Sequence, residues 1–269
     1  MRGKFSDDDI IKMYNYIKDN NTSITNYCKE NHVDKSNLCE RFKKLNLPTL
    51  NANNAKSFNE KAFDVINDES AYWLGILLAD GSVHIKNDSK KSHYLELCMK
   101  DKEHIEKFRN FLSSSHKISK RTVKSNGSIV YRIIIGSKYM CTRLIELGIK
   151  PNKTYEKINF NNFVDKQFLP SFIRGFFDGD GSIDLNPSNH IRYIGFTSMY
   201  EESLKSLQTV IKENCNVYFD YLDVRESKAP MLRLYKQTET IKFLDWIYAS
   251  PQCVLDRKYN KYKNCCRPD

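Results

Sequence analysis

Apolar residues recur with helical spacing in two short blocks, and with strand alternation in much of the chain around them. The blocks run from Trp73 to Ser82 (WLGILLADGS) and from Ile173 to Ser182 (IRGFFDGDGS). Each predicts a helix with small residues four apart: Gly75 and Ala79 in the first, Gly175 and Gly179 in the second. Residues at i and i+4 share a helix face, and a face of Gly and Ala lets a second helix approach closely. Asp80 and Asp180 fall in the last turn of each predicted helix. Gly81 and Gly181 follow, where a left-handed residue commonly stops a helix. If the two helices pack side by side, the two aspartates become neighbours.

Outside these blocks the pattern predicts a repeat. After the Trp73 helix come strands near 82–86 and 93–100, a helix near 102–112, strands near 117–124 and 128–135, and a helix near 139–147. Asn126-Gly127 between the last two strands is a hairpin signal. After the Ile173 helix come strands near 182–186 and 192–199, a helix near 201–214, strands near 217–225 and 231–236, and a helix near 238–248. The shared order is αββαββα, with little identity between the copies beyond Asp-Gly-Ser. The predicted class is α+β: two pseudo-symmetric copies, each with a four-stranded antiparallel sheet covered by helices on one side. The other face is left for solvent or a partner.

The first 48 residues predict a small all-α unit. Ser6 and Asp9 suit a helix start, and Ile10, Ile11, Tyr14 and Ile17 recur at helical spacing. Shorter helices fit Ser23–Asn31 and Lys35–Leu45, with His32-Val33-Asp34 as the turn. A short helix, a tight turn and a basic helix make a helix-turn-helix pattern, whose last helix enters the major groove. Ser36, Asn37, Glu40 and Arg41 are then the candidate base contacts, and a plain three-helix bundle with a basic face is the alternative. Polar, Asn-rich sequence after Pro48 reads as linker. The expected domains are residues 1–48, a linker 49–69, repeat one 70–160 and repeat two 161–269.

Charge narrows the partners. With 43 Lys and Arg against 33 Asp and Glu, the formal net charge is +10, which points first to nucleic acid. No apolar run nears a membrane span, and the start, MRGKFSDDD, lacks the signal-peptide pattern. An intracellular location and no membrane partner are expected. The eight cysteines include no Cys-x-x-C, and with the six histidines they form no zinc spacing. Reduced thiols are the simplest reading, with Cys265-Cys266 in a loose tail.

A carboxylate at a helix C-terminus faces the negative end of the dipole, and two close carboxylates raise each other's pKa. A divalent cation between them relieves both, and Mg²⁺ suits oxygen ligands and phosphate substrates. The run from Asp178 to Asn189 fails as an EF-hand, with Ile183 at its sixth position and Asn189 at its twelfth.

These two stretches resemble the paired signature of the LAGLIDADG homing endonucleases, over the region from about residue 70 to the end. The resemblance implies a single-chain endonuclease, acting as a monomer, whose two sheets form a saddle along double-stranded DNA. Asp80 and Asp180 would be the metal-binding acids for Mg²⁺, with Mn²⁺ able to substitute, and the backbone carbonyls of Ala79 and Gly179 would be auxiliary ligands. A basic residue after the last helix of each copy is expected: Lys153 and Lys258, with Lys150 and Lys261 in reserve. His84, Lys86, Lys120, Arg121, Lys124, Arg132, Arg192, Arg225 and Arg233 are the strand residues placed near DNA. Asp178 matches the signature, but the corresponding position in the other copy is Leu78, so a helix-face or packing role is expected of it. The other reading is a non-cleaving nucleic-acid binder, either a maturase bound to intron RNA or a DNA-binding regulator. The ends carry no intein splicing pattern.

Overall fold

The computed structural model describes residues 5–20, 22–47, 57–85, 93–123, 125, 127–153, 156–225 and 228–266. They form two compact units, residues 1–57 and 58–269.

In the first unit, α1 (Asp7–Asp19) starts with a capping box between Ser6 and Asp9. The helix α2 (Ile24–Glu30) is capped by Ser23, and α3 (Lys35–Lys44) by Asp34. Ile10, Tyr14, Ile17, Tyr27, Leu38 and Phe42 make a separate small core. His32, in the turn between α2 and α3, has a φ of +52°.

The second unit is organised on two helices, α4 (Asp68–Asp80) and α7 (Leu169–Asp180). Asn67 opens α4 with a capping box to Ser70, and Pro170 sits in the first turn of α7, where its missing N–H costs nothing. The helices cross at Gly75 and Gly175. A Cβ on Gly75 would lie 2.1 Å from the Phe172 carbonyl oxygen, and one on Gly175 would lie 2.0 Å from that of Tyr72. Only glycine permits backbone contact this close. At the lower end Ala79 meets Gly179, whose Cβ would fall 2.3 Å from the Ala79 methyl.

Each motif helix runs into its own antiparallel sheet. The first has β1 (Gly81–His84), β2 (Tyr94–Met99), β3 (Ser119–Thr122) and β4 (Ile129–Gly136), in the order β1-β2-β4-β3. The second has β5 (Gly181–Leu185), β6 (Ile191–Thr197), β7 (Tyr221–Arg225) and β8 (Lys228–Leu234), in the matching order β5-β6-β8-β7. The helices α5 (Lys102–Phe111) and α6 (Lys138–Glu146) serve the first sheet, and α8 (Glu201–Cys215) and α9 (Gln237–Ile247) the second. The α+β class and the doubled αββαββα order are therefore present. Strands alternate as a one-sided sheet requires: on β2, Leu95, Leu97 and Met99 are buried and their neighbours half-exposed.

Four expectations need correction. Gly81 and Gly181 are not left-handed; their φ values are −80° and −82°, and both begin strands. Glycine is required there because a Cβ would sit 2.7 Å from the Leu77 carbonyl oxygen or 2.2 Å from the Phe177 ring. Part of the predicted linker belongs to the second unit: Phe63 is buried in its core, and Asn59 N–H donates to the Leu112 carbonyl. Among the described residues a further helix follows, α10 (Asp256–Asn264), which the sequence reading does not predict. Beyond it, Cys265 is buried and Cys266 N–H donates to the Asn189 carbonyl, so this pair is anchored.

Candidate active site

Because α4 and α7 end together, their last residues share one site. Asp80 and Asp180 occupy equivalent places, one position before each strand. Solvent reaches Asp180, yet the surrounding protein shelters its charge: burial, then the neighbouring Asp80 charge, push its carboxyl up to about 6. Lys153 and Lys258 pull the other way. Burial also raises the Asp80 carboxyl, opposed by Lys153, Lys258 and Arg257.

The two lysines are the electrostatic complement. Lys153 Nζ donates to the carbonyls of Leu78 (2.6 Å) and Ala79 (2.5 Å) at the end of α4. Lys258 Nζ donates to the carbonyls of Phe177 (2.6 Å), Asp178 (2.8 Å) and Gly181, and reaches that of Gly179 at 3.4 Å. A cation at a helix C-terminus satisfies orphan carbonyls and the negative dipole end. Burial lowers both ammonium groups, Lys258 to about 8, while the acids raise them. Of the reserve lysines, Lys150 pairs with Glu156, and Lys261 donates to the Ile183 carbonyl. A cavity of about 260 Å³ opens beside the site, lined by Ala79, Lys153, Asp180, Thr197 and Tyr200 among others.

Asp178 is fully buried on the opposite side of α7 from Asp180, since two residues turn a helix by about 200°. It accepts from Tyr72 OH (2.8 Å), Tyr248 OH (2.7 Å) and Leu255 N–H (2.7 Å). Arg174, also buried, donates to the carbonyls of Cys253 (3.0 Å) and Ile247 (2.7 Å). Sequence reasoning misses Tyr72, Tyr248 and Arg174. An Arg inside an otherwise apolar motif helix is the one signal that could have pointed there.

Among the described residues no cluster of three or more His, Cys, Asp or Glu could hold a metal. The donors at the helix ends are two carboxylates and backbone carbonyls, all hard oxygens. Two mutually repelling acids in a sheltered site are what a divalent cation relieves, so the residues fit one.

The strand candidates divide by face. Ser82, His84, Tyr94, Glu96, Arg121 and Arg132 share the open face of the first sheet by register. His84 stacks on Tyr94 at 4.4 Å, and Arg132 pairs with Glu96 at 3.5 Å. Lys120 is opposite Tyr131 and points to the other face, contrary to its expected place. On the second sheet Arg233 stands on the open face, its guanidinium 4.9 Å from the Tyr193 ring centre and 3.1 Å from Tyr235 OH. Arg192 lies 3.8 Å from Asp184. Lys86 and Lys124 lie outside the described residues, as does the side chain of Arg225. In the first unit Ser36 and Asn37 are exposed on α3, whereas Arg41 is tied to Asp7 and the Phe5 carbonyl. Among the described residues no helix is long and apolar enough to cross a membrane.

Residues 67–148 and 168–215 match the LAGLIDADG-like domain. The homing endonuclease I-WcaI, solved bound to its DNA recognition sequence, is 15% identical over 84% of this chain and 92% of its own, with a TM-score of 0.54. I-SmaMI, a LAGLIDADG homing endonuclease solved bound to cleaved DNA, is 14% identical over 74% of this chain and 87% of its own, with a TM-score of 0.48. Full-length DUF199/WhiA from Thermotoga maritima is 17% identical over 78% of this chain and 66% of its own, with a TM-score of 0.44. No curated protein matches the sequence.

Proposed function

The chain is a LAGLIDADG protein with two motif copies, and from that premise we propose that it is a site-specific endonuclease that cuts both strands of duplex DNA. One observation carries the reading: two carboxylates, the buried Lys258 and the half-buried Lys153 converge where the motif helices end. Phosphodiester hydrolysis needs an activated water and stabilisation of charge on the phosphate and leaving oxygen. Asp80 and Asp180 would hold the divalent cation, Mg²⁺ or Mn²⁺, with the carbonyls of Ala79 and Gly179. When bound, that cation supplies Lewis-acid stabilisation and an acidified water. The chain's own part is positioning. Lys153 and Lys258, fixed by helix-end carbonyls, place positive charge beside the scissile phosphates. The open sheet faces, with Arg121, Arg132 and Arg233, lie along the groove, and α3 of the first unit adds a separate DNA contact through Ser36 and Asn37.

A second reading, the non-cleaving nucleic-acid binder, also has an observation behind it. The Ala79 carbonyl already receives the Lys153 ammonium, so the acids have cationic neighbours without a metal. Cleavage of a plasmid library carrying randomised sites, in Mg²⁺ and in EDTA, separates the two. Mg²⁺-dependent linear product at a recurrent site supports the endonuclease. Retention of DNA or intron RNA with no cut in Mg²⁺ or Mn²⁺ supports the binder.

A further inference from the structure

The two halves of the site are built alike at the acids and differently behind them. In the second half, Lys258 rides on α10, whose N-cap residue is Leu255. The Leu255 N–H donates to the Asp178 carboxylate at 2.7 Å, so an anion closes the start of that helix. Tyr248, at the end of α9, holds the other carboxylate oxygen at 2.7 Å. Tyr72, from the first motif helix, donates to the same oxygen as Leu255, at 2.8 Å. Lys258 lies three residues beyond Leu255, one helical turn into α10, and from there its ammonium reaches the carbonyl end of α7. Asp178 therefore fixes the place from which Lys258 extends, using the face of α7 that Asp180 does not use.

Among the described residues the first half shows no such device. At the place of Asp178 stands Leu78, whose side chain has no acceptor, and Lys153 reaches the end of α4 from a 3-10 turn after α6 instead of from an α-helix. We infer that Asp178 is a positioning residue for Lys258, acting through the first turn of α10, and that it serves one DNA strand only. The inference rests on the endonuclease reading for its consequence in cleavage, but not for its consequence in α10. A residue that merely stabilised the fold would affect both strands together. An anchor for one lysine affects one.

The test is strand-resolved cleavage of a duplex target carrying a different dye on each strand, with Lys258→Met and Lys153→Met marking the strand that each lysine serves. Asp178→Asn keeps the shape of the side chain and removes its charge. It should slow the strand lost in Lys258→Met roughly tenfold or more, as loss of an outer supporting partner typically does, and leave the other within about twofold. Tyr248→Phe removes one of the three donors and should bias the same strand less strongly; it carries the comparison if Asp178→Asn does not fold. Hydrogen exchange gives a second readout free of activity: amides of residues 255–262 should exchange faster in the variants, with α4 and β1 unchanged. Equal slowing of both strands, or unchanged protection of α10, would overturn the inference. If the wild type cuts neither strand, the endonuclease reading falls, and exchange alone decides whether Asp178 anchors α10.

Discussion

Replacing Gly175 by Ala gives the sharpest test of the helix crossing, because two explanations of that glycine predict opposite signs. If Gly175 were only a flexible residue in α7, Ala would stabilise the helix by about 1 kcal/mol. In the structure the new methyl would lie 2.0 Å from the Tyr72 carbonyl oxygen, 2.9 Å from its carbon and 3.0 Å from the Ile76 nitrogen. All three are backbone atoms of α4, so no side chain can turn aside. Ordinary carbon–oxygen contact begins at about 3.3 Å, so the helices must part by more than an ångström. A gap of that size forfeits about a quarter to a half of the dispersion attraction for the atoms facing it. Here those atoms belong to Tyr72, Ile76, Phe172 and Phe176, all buried. Overpacking costs about 1–3 kcal/mol in ordinary cores, and with rigid backbone on both sides the expected net loss is about 3 kcal/mol. Urea denaturation followed by tryptophan fluorescence suits the question, since the two tryptophans, Trp73 and Trp246, both lie in the second unit. With a slope of about 3 kcal/mol/M, the midpoint should fall by about 1 M at unchanged slope. A midpoint that stays or rises would refute the close crossing.

The same geometry sets three further outcomes. In metal-free protein Asp180 holds its proton to about pH 6 against an unfolded value near 3.8, so the folded state binds more protons between these limits and stability falls as pH rises through that window. Asp180→Asn should remove that slope and stabilise the metal-free protein at pH 7 by about 1 kcal/mol once solvent screening is allowed for, as denaturation at pH 4 and pH 7 would show. Asn67→Ala removes the capping box at the start of α4 and should cost about 1 kcal/mol in the same denaturation assay. Arg233→Ala should weaken discrimination at one base position by about 1–3 kcal/mol, read by selection from a randomised site, while leaving preference at the other positions intact.

Sequence periodicity exposes what is local. The motif helices, six of the strands to within a residue or two, and the order of both copies follow from alternation and from i, i+4 spacing, because one face of each element meets the core. What stays hidden depends on contacts far along the chain. Leu255, Lys258, Tyr259 and Tyr262 carry helical spacing at α10, but in so polar a segment that spacing is a weak signal, and the partner at its start, Asp178, lies 77 positions away. Asp178 reads as a packing residue until Tyr72, Tyr248 and Leu255, up to 106 positions away, converge on it. Lys120 is placed on the wrong face because register, not composition, decides which way a strand residue points, and a slip of one residue exchanges the faces. Gly81 and Gly181 are read as left-handed helix stops, but closeness to the preceding turn, not a positive φ, demands glycine there.

The most direct test of the central claim is to replace each acid alone and ask for binding and cutting separately. Asp80→Asn and Asp180→Asn should each retain DNA binding in EDTA at close to wild-type affinity, and neither should linearise the target in Mg²⁺. A variant at either position that binds and still linearises the DNA at the wild-type rate would contradict a shared metal-dependent site at the ends of α4 and α7.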